Sequence, residues 1–322
     1  MIHFKLQSDA YSINVPLLTF GTASFERHDN DSEYFSFLDK YLELGGSCID
    51  SARCYCSWLE DGESSSEGAI GRWISSRGNR DKIILSTKGG HPNHDTMDVS
   101  RLSRDELEYD LNQSLKALQT DYIDIYFLHR DDEAIPVEEI MPILNDFVKS
   151  GKVHFIGASN WTTERIEKAN KFAKENGMEP FRVSQIYYSL AHSTKEDLGD
   201  PTTESMDSKS YSWYKKNNFP VMAFSPQAKG FFSKVAEGKS ITDLLESQFV
   251  STANLAKLSR VIELSKETGT TPATVVLGYL NSQPFPVSSV FSVTKLWQLE
   301  EDMTAGDTIF DEKQLAFLEN NF

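Results

Sequence analysis

Eight short apolar or β-branched runs, at 17–20, 47–50, 82–87, 122–129, 154–158, 182–187, 220–224 and 287–293, alternate with longer stretches of helical periodicity. Runs such as YIDIYFL and KIILS are almost continuously apolar, the pattern of strands covered on both faces, as parallel sheets require. Between them, Tyr34, Phe37, Leu38, Tyr41 and Leu42 line one helix face, and Leu107, Leu111, Leu115 and Leu118 line another. Further helices are expected from Ser66, from Pro136 in a first turn, and from Thr162 and Thr163. Strand–helix alternation repeated eight times predicts an α/β fold, a single closed (β/α)8 TIM barrel. The 322 residues suit such a barrel, no Pro/Ser/Gly-rich linker divides them, and one domain over 1–322 is expected. The connections 191–207 and 225–250, after the sixth and seventh strands, are long and fall on the C-terminal rim, where such loops set selectivity.

Charge and cysteine usage narrow the partners. Thirty-two Lys and Arg against 48 Asp and Glu leave a net −16, with no basic run to track phosphates, so nucleic acid is not an expected partner. No apolar run reaches the roughly 18 residues of a membrane span. The opening stretch lacks a basic segment followed by an apolar one, and Cys48, Cys54 and Cys56 are too few and too crowded for a disulfide framework; a cytoplasmic address is expected. Cys54-x-Cys56 lacks a second ligand pair at zinc spacing, so no metal is assigned and the thiols read as small packing residues.

Three strands end in groups that handle protons. The second ends in Cys48-Ile49-Asp50 and runs on to Tyr55, the third ends in Ser86-Thr87-Lys88, and the fourth in Phe127-Leu128-His129. Consecutive strands of a parallel barrel are neighbours and point their C-terminal ends to one face, which brings Asp50, Tyr55, Lys88 and His129 to one pocket. A phenol with a pKa of about 10 is a poor acid at neutral pH, and an adjacent ammonium stabilises its phenolate. Lys88 is therefore expected to lower the pKa of Tyr55, Asp50 to hold Lys88 charged, and His129 to hydrogen-bond a carbonyl oxygen or share in its protonation. None of the four can deliver hydride, so carbonyl/alcohol interconversion here requires a redox cofactor.

The segments DSARCY, STKGG, DYIDIYFLHRDD, GASNW, SQIYYSL and AFSPQAKGFF occur in this order, each at an expected strand end. Through them the sequence resembles the aldo-keto reductase superfamily over nearly its whole length. The resemblance implies NADPH or NADH bound in extended form, NADPH being the family's commoner choice, and a small-molecule aldehyde, ketone or alcohol as substrate. It implies Tyr55 as general acid, supported by Lys88 and Asp50, with His129 orienting the carbonyl. Ser159, Asn160 and Gln185 match positions that hold the nicotinamide carboxamide, and Phe224 the aromatic that stacks on the ring. Ser225, Gln227, Lys229 and Gly230 match the turn that covers the pyrophosphate. At the adenosine end Lys295, Gln298, Glu301 and Asp302 fill the contact positions. Lys295 is the one base among them, where a 2′-phosphate normally meets Arg or Lys, so NADH is a serious candidate.

Trp58 and Trp161 follow active-site strand ends and read either as ordinary rim packing or as an aromatic substrate wall, while His91, His94 and His192 read as surface or loop residues. The run Glu60-Asp-Gly-Glu63 reads as a solvated loop or, from its place just after Tyr55, as a substrate contact, and DEKQLAFLENNF as a final helix with no long flap after it, which implies an open pocket. Two functions follow: an NAD(P)H-dependent aldo-keto reductase, or a nicotinamide-nucleotide-sensing regulatory subunit with little turnover. The intact proton-handling set favours the enzyme. Substrate identity and oligomeric state have no sequence signal.

Overall fold

A computed structural model describes residues 1–25, 31–60, 62–236, 238, 240 and 248–319. Eight parallel strands close into a barrel: β3 (Leu18–Gly21), β4 (Cys48–Asp50), β5 (Ile84–Gly89), β6 (Ile123–Leu128), β7 (Val153–Ser159), β8 (Val183–Tyr187), β9 (Val221–Phe224) and β10 (Val287–Phe291), in sequential order, with β10 returning to pair with β3. Each of the eight apolar runs supplies one of them. Ahead of the barrel lies an antiparallel hairpin, β1 (His3–Gln7) and β2 (Ser12–Pro16), which the sequence pattern did not reveal. Its strands carry few apolar residues, yet Leu6 and Val15 pack with Cys48, Ile125, Phe127, Phe155, Val183 and Met222 inside the barrel. The hairpin is a plug, not an edge.

The helices are α1 (Asp31–Glu43), α2 (Ser65–Arg77), α3 (Arg104–Ala117), α4 (Val137–Lys149), α5 (Thr163–Glu175), α6 (Lys195–Leu198), α7 (Ser208–Asn217), α8 (Phe231–Ala236), α9 (Thr252–Thr268), α10 (Pro272–Asn281), α11 (Leu296–Met303) and α12 (Glu312–Glu319). α1 buries Tyr34, Phe37, Leu38 and Tyr41 against the sheet, and α3 buries Leu107 and Leu111, so the outer core follows the apolar stripes. Pro136 sits one residue ahead of α4 in extended conformation, not in its first turn, whereas Thr162 caps α5 by accepting the Arg165 amide at 3.3 Å. The rim connection after β8 carries α6 and α7, and the one after β9 carries a turn and α8. Residues 237, 239 and 241–247 of that second connection, with Asp61 of the acidic run and 320–322 of the last segment, lie outside the described residues. Among the described residues no helix is long and apolar enough to cross a membrane.

Strand periodicity determines what faces inward. Side chains alternate, so the interior set that includes Cys48, Phe127, Val183 and Met222 continues two residues later to Asp50, His129, Gln185 and Phe224 at the top of the barrel. On β7 the corresponding pair is Gly157 and Ser159. A Cβ at Gly157 would come within 2.4 Å of the Phe127 ring, so the glycine makes room for the aromatic that fills the barrel below the pocket.

Candidate active site

At the centre of the rim lies a buried ion pair. Lys88 Nζ is 2.6 Å from Asp50 Oδ2 and both side chains are 1% exposed. The same ammonium donates to the Ser51 carbonyl at 2.6 Å and to the Tyr55 hydroxyl at 3.0 Å, so its three protons are all used. Asp50 Oδ1 accepts from Ser86 Oγ at 2.7 Å and from Gln185 Nε2 at 3.1 Å, which satisfies the carboxylate from three sides. Tyr55 reaches Lys88 from the turn after β4, which is pinned to β5 through Ser51 N to Ser86 O and Arg53 N to Lys88 O. Arg53, buried, holds the far side of that turn through Ser64 Oγ and Glu63.

Burial and charge pull these groups in opposite directions. Burial pulls the Lys88 ammonium down, but Asp50 and Tyr55 outweigh it and the net displacement is upward, keeping the lysine charged. For Tyr55 burial is the largest influence and pushes the phenol up; Lys88 pulls it back without reversing the sign. The expected lowering of the Tyr55 pKa is thus overturned by desolvation, and the hydroxyl stays protonated at neutral pH. His129 is held well below the usual histidine range by burial, then by the positive charge of Arg130, so its imidazole is neutral. Its ring stands edge-on to Tyr55 with centroids 6.0 Å apart, and Nδ1 lies 3.4 Å from Cys54 Sγ, a thiol that burial pushes up to about 12.

A cleft of about 640 Å³ runs outward from this centre. Asp50, Tyr55 and His129 line its inner end, followed by Ser159, Asn160, Gln185 and Phe224, then Ser225, Gln227, Lys229 and Gly230, and finally Gln298, Glu301 and Asp302. Asn160 is in left-handed conformation (φ 58°), donates to His129 O and Ser159 Oγ, and accepts the Glu204 amide. Ser225 and Lys229 on the opposite wall are also left-handed, and such strain in non-glycine residues concentrates at ligand-binding positions. Gln227 Nε2 donates to Asp302 Oδ1 at 2.9 Å and ties the turn after β9 to α11. Burial raises Asp302 to about 7, against the opposing Gln227 bond.

Several expected positions fall elsewhere. Trp161 is not a substrate wall: it is 1% exposed, packs on Phe181, and donates its indole N–H to the Arg130 carbonyl at 3.2 Å. Trp58 is 48% exposed beside His94 and is absent from the cleft lining. Lys295 is exposed at the N-cap of α11 and also off the lining, while Gln298 Oε1 caps that helix by accepting the Thr294 and Lys295 amides. His91 is buried, not a surface residue, because the loop after β5 folds it against His129; His94 and His192 are exposed. Sequence reading missed Ser233, Lys234 and Trp297, which line the outer cleft. An aromatic in the first turn of α11, surrounded by polar residues in KLWQLEED, was the available signal for Trp297.

Over residues 17–320 the sequence fits the pattern shared by aldo/keto reductases. This chain belongs to the aldo/keto reductase family. It is 28% identical over 320 residues to the uncharacterized oxidoreductase YrpG of Bacillus subtilis, covering 96% of this chain and 93% of that protein. It is 34% identical over 208 residues to norsolorinic acid reductase B of Aspergillus parasiticus, covering 61% of this chain and 52% of the relative, so the match spans about half that protein's length. The thermostable aldo-keto reductase Tm1743, solved with the inhibitor epalrestat, shares the fold with a TM-score of 0.75 at 22% identity, covering 99% of both chains.

Proposed function

We propose that this protein interconverts aldehydes or ketones and alcohols, with NADPH or NADH bound along the cleft. The observation that carries the reading is the Lys88 ammonium, 3.0 Å from the Tyr55 hydroxyl and 2.6 Å from Asp50, at the inner end of a long cleft walled by Phe224 and by hydroxyl, amide and lysine groups. That wall suits an extended dinucleotide: a flat aromatic for a nicotinamide ring, and Ser225, Ser233, Lys229 and Lys234 for an anionic pyrophosphate. Ser159 and Gln185 offer donors and acceptors for a carboxamide. Asn160 spends both ends of its amide on the protein, so its role is to hold Ser159 and the His129 carbonyl in place.

The bound dinucleotide supplies the hydride. Every other step belongs to this chain. Because Lys88 donates to the Tyr55 oxygen, the phenolic proton must point away from the lysine, toward a carbonyl oxygen in the pocket. Tyr55 gives up that proton as charge builds on the carbonyl, and Lys88, fixed by Asp50, stabilises the phenolate left behind. Neutral His129, with Nδ1 turned to the Cys54 thiol, has Nε2 free to donate to the same oxygen. In the alcohol-oxidising direction Tyr55 phenolate is the base.

Titration of the purified protein with NADPH and NADH by fluorescence, followed by a screen of aldehydes and ketones, tests the reading. Micromolar binding and turnover are expected; no affinity for either dinucleotide would sink it.

A further inference from the structure

Beside Tyr55, and sharing His129 with the inner end of the cleft, lies a cluster that the proposed chemistry uses only in part. Cys54, His91 and His129 each bring one ligating atom, and the three atoms lie within 4.8 Å of one another. Cys54 Sγ and His129 Nδ1 are 3.4 Å apart. On a tetrahedral zinc, with Zn–S of about 2.3 Å and Zn–N of about 2.0–2.1 Å, sulfur and nitrogen are separated by about 3.5 Å. His91 has the setting of a ligating imidazole: its Nδ1 is 2.6 Å from the Pro92 carbonyl oxygen, so Nδ1–H donates there and Nε2 keeps its lone pair. The His91 and His129 rings meet edge to face with centroids 4.8 Å apart. Exposed His94, 5.4 Å from His91, marks a route to solvent and supplies a further imidazole at the mouth.

Neighbouring charge permits a cation. Arg130, the charge that acts most strongly on both imidazoles, is paired with Asp200 at 2.9 Å, and Lys88 is paired with Asp50. Cys56 is no part of the cluster: its thiol turns to the Phe25 carbonyl at 3.3 Å. The sequence hid the set because its members are far apart along the chain and only the barrel's top brings the loops together.

The geometry points to a binding site for a divalent cation of the Zn²⁺ class on Cys54, His91 and His129, with water or His94 completing the coordination, whose occupation inhibits the reaction. Binding breaks the Cys54 S–H bond, sends the proton to solvent, and forms one Zn–S and two Zn–N bonds with no change of oxidation state. A bound cation fixes the His129 ring through Nδ1 beside the Tyr55–Lys88 pair, and a ring held about 1 Å from its productive place costs roughly 10²-fold in rate. The inhibitory half rests on the function proposed above; the site itself does not.

Zn²⁺ titration against a chromophoric chelator, with Co²⁺ as a spectroscopic substitute, tests both halves on the purified protein. One Zn²⁺ per chain and a thiolate-to-cobalt charge-transfer band are expected, with affinity at least about tenfold weaker in Cys54→Ser and in His91→Phe. Zinc should also suppress carbonyl turnover, reversibly by chelation, while dinucleotide binding persists. A missing thiolate band, or equal Zn²⁺ affinity in wild type and both variants, overturns the site. A normal band with turnover unaffected at saturating Zn²⁺ overturns the inhibition. A normal band in a protein that turns over no carbonyl instead defeats the proposed function, and the inhibitory half falls with it.

Discussion

The inner and outer ends of the cleft are built from different material. At the inner end Asp50, Lys88, Ser159 and Gln185 are interior positions at strand ends, nearly inaccessible, with Asp50, Lys88 and Gln185 bonded to one another across β4, β5 and β8. At the outer end the walls are the turn after β9 and one face of α11, with Trp297 51% exposed and the two segments linked by the Gln227–Asp302 hydrogen bond. Barrel closure fixes the first set to within the geometry of the sheet, and loop conformation fixes the second. The difference predicts that changes at the inner end act on rate and folding, whereas changes at the outer end act on dinucleotide affinity and choice.

The sharpest way to break that division is Tyr55→Phe. Removing the phenolic proton should lower kcat by about 10²–10⁴-fold, while dinucleotide affinity measured by fluorescence stays within about twofold of wild type. An equal loss in both would mean that Tyr55 shapes the binding surface instead of the proton path. Lys88→Met should be next in size. It strands a buried carboxylate, and removing one partner of such a pair costs about 3–5 kcal/mol of stability, readable in urea unfolding. Asp50→Asn in the same chain should recover part of that loss but none of the activity, which separates folding from chemistry.

What sequence reading recovered follows the same division. The eight strands were legible because a doubly covered strand needs a nearly unbroken apolar run, and Asp50, Lys88 and His129 because they stand where those runs stop. The hairpin was not legible: HFKLQ and SINVP bury little more than Leu6 and Val15, and their partners lie on five different strands. Trp161 and Lys295 were misplaced for a related reason. Position along the chain locates a residue near the rim but does not say whether its side chain turns toward the core, the cleft or solvent. The Tyr55 pKa was misjudged because the pairing with Lys88 is visible in sequence while the depth of burial is not.

Trp297→Ala sharpens the comparison at the outer end. If the exposed indole forms a stacking face for the adenine, its loss should weaken dinucleotide binding about tenfold, within the roughly 1–3 kcal/mol found for a base on an aromatic side chain, and leave kcat at saturating cofactor unchanged. A fall in kcat instead would tie α11 to the chemistry and dissolve the distinction between the two ends.

The smallest expected effect concerns the choice between the two dinucleotides. Asp302 is raised by burial to about 7, so it is mostly neutral at pH 6 and charged at pH 8. Glu301 adds negative charge on the same lining, and Lys295 is not among the residues that line it. The ratio of NADPH to NADH affinity should therefore fall as pH rises through about 7, on the order of threefold through Asp302 alone. Ionisation of the 2′-phosphate near pH 6 contributes equally in wild type and in Asp302→Asn, so the difference between the two proteins isolates the carboxylate. Folding gives an independent check on the sign. A carboxyl raised in the folded state is stabilising below its unfolded pKa and loses that advantage as pH climbs through about 7, so Asp302→Asn should gain stability relative to wild type between pH 5 and pH 8. A parallel pair of stability profiles would place the titration on another group, and a wild-type preference for NADPH that is strong and independent of pH would show that Lys229 and Lys234, not α11, meet the extra phosphate.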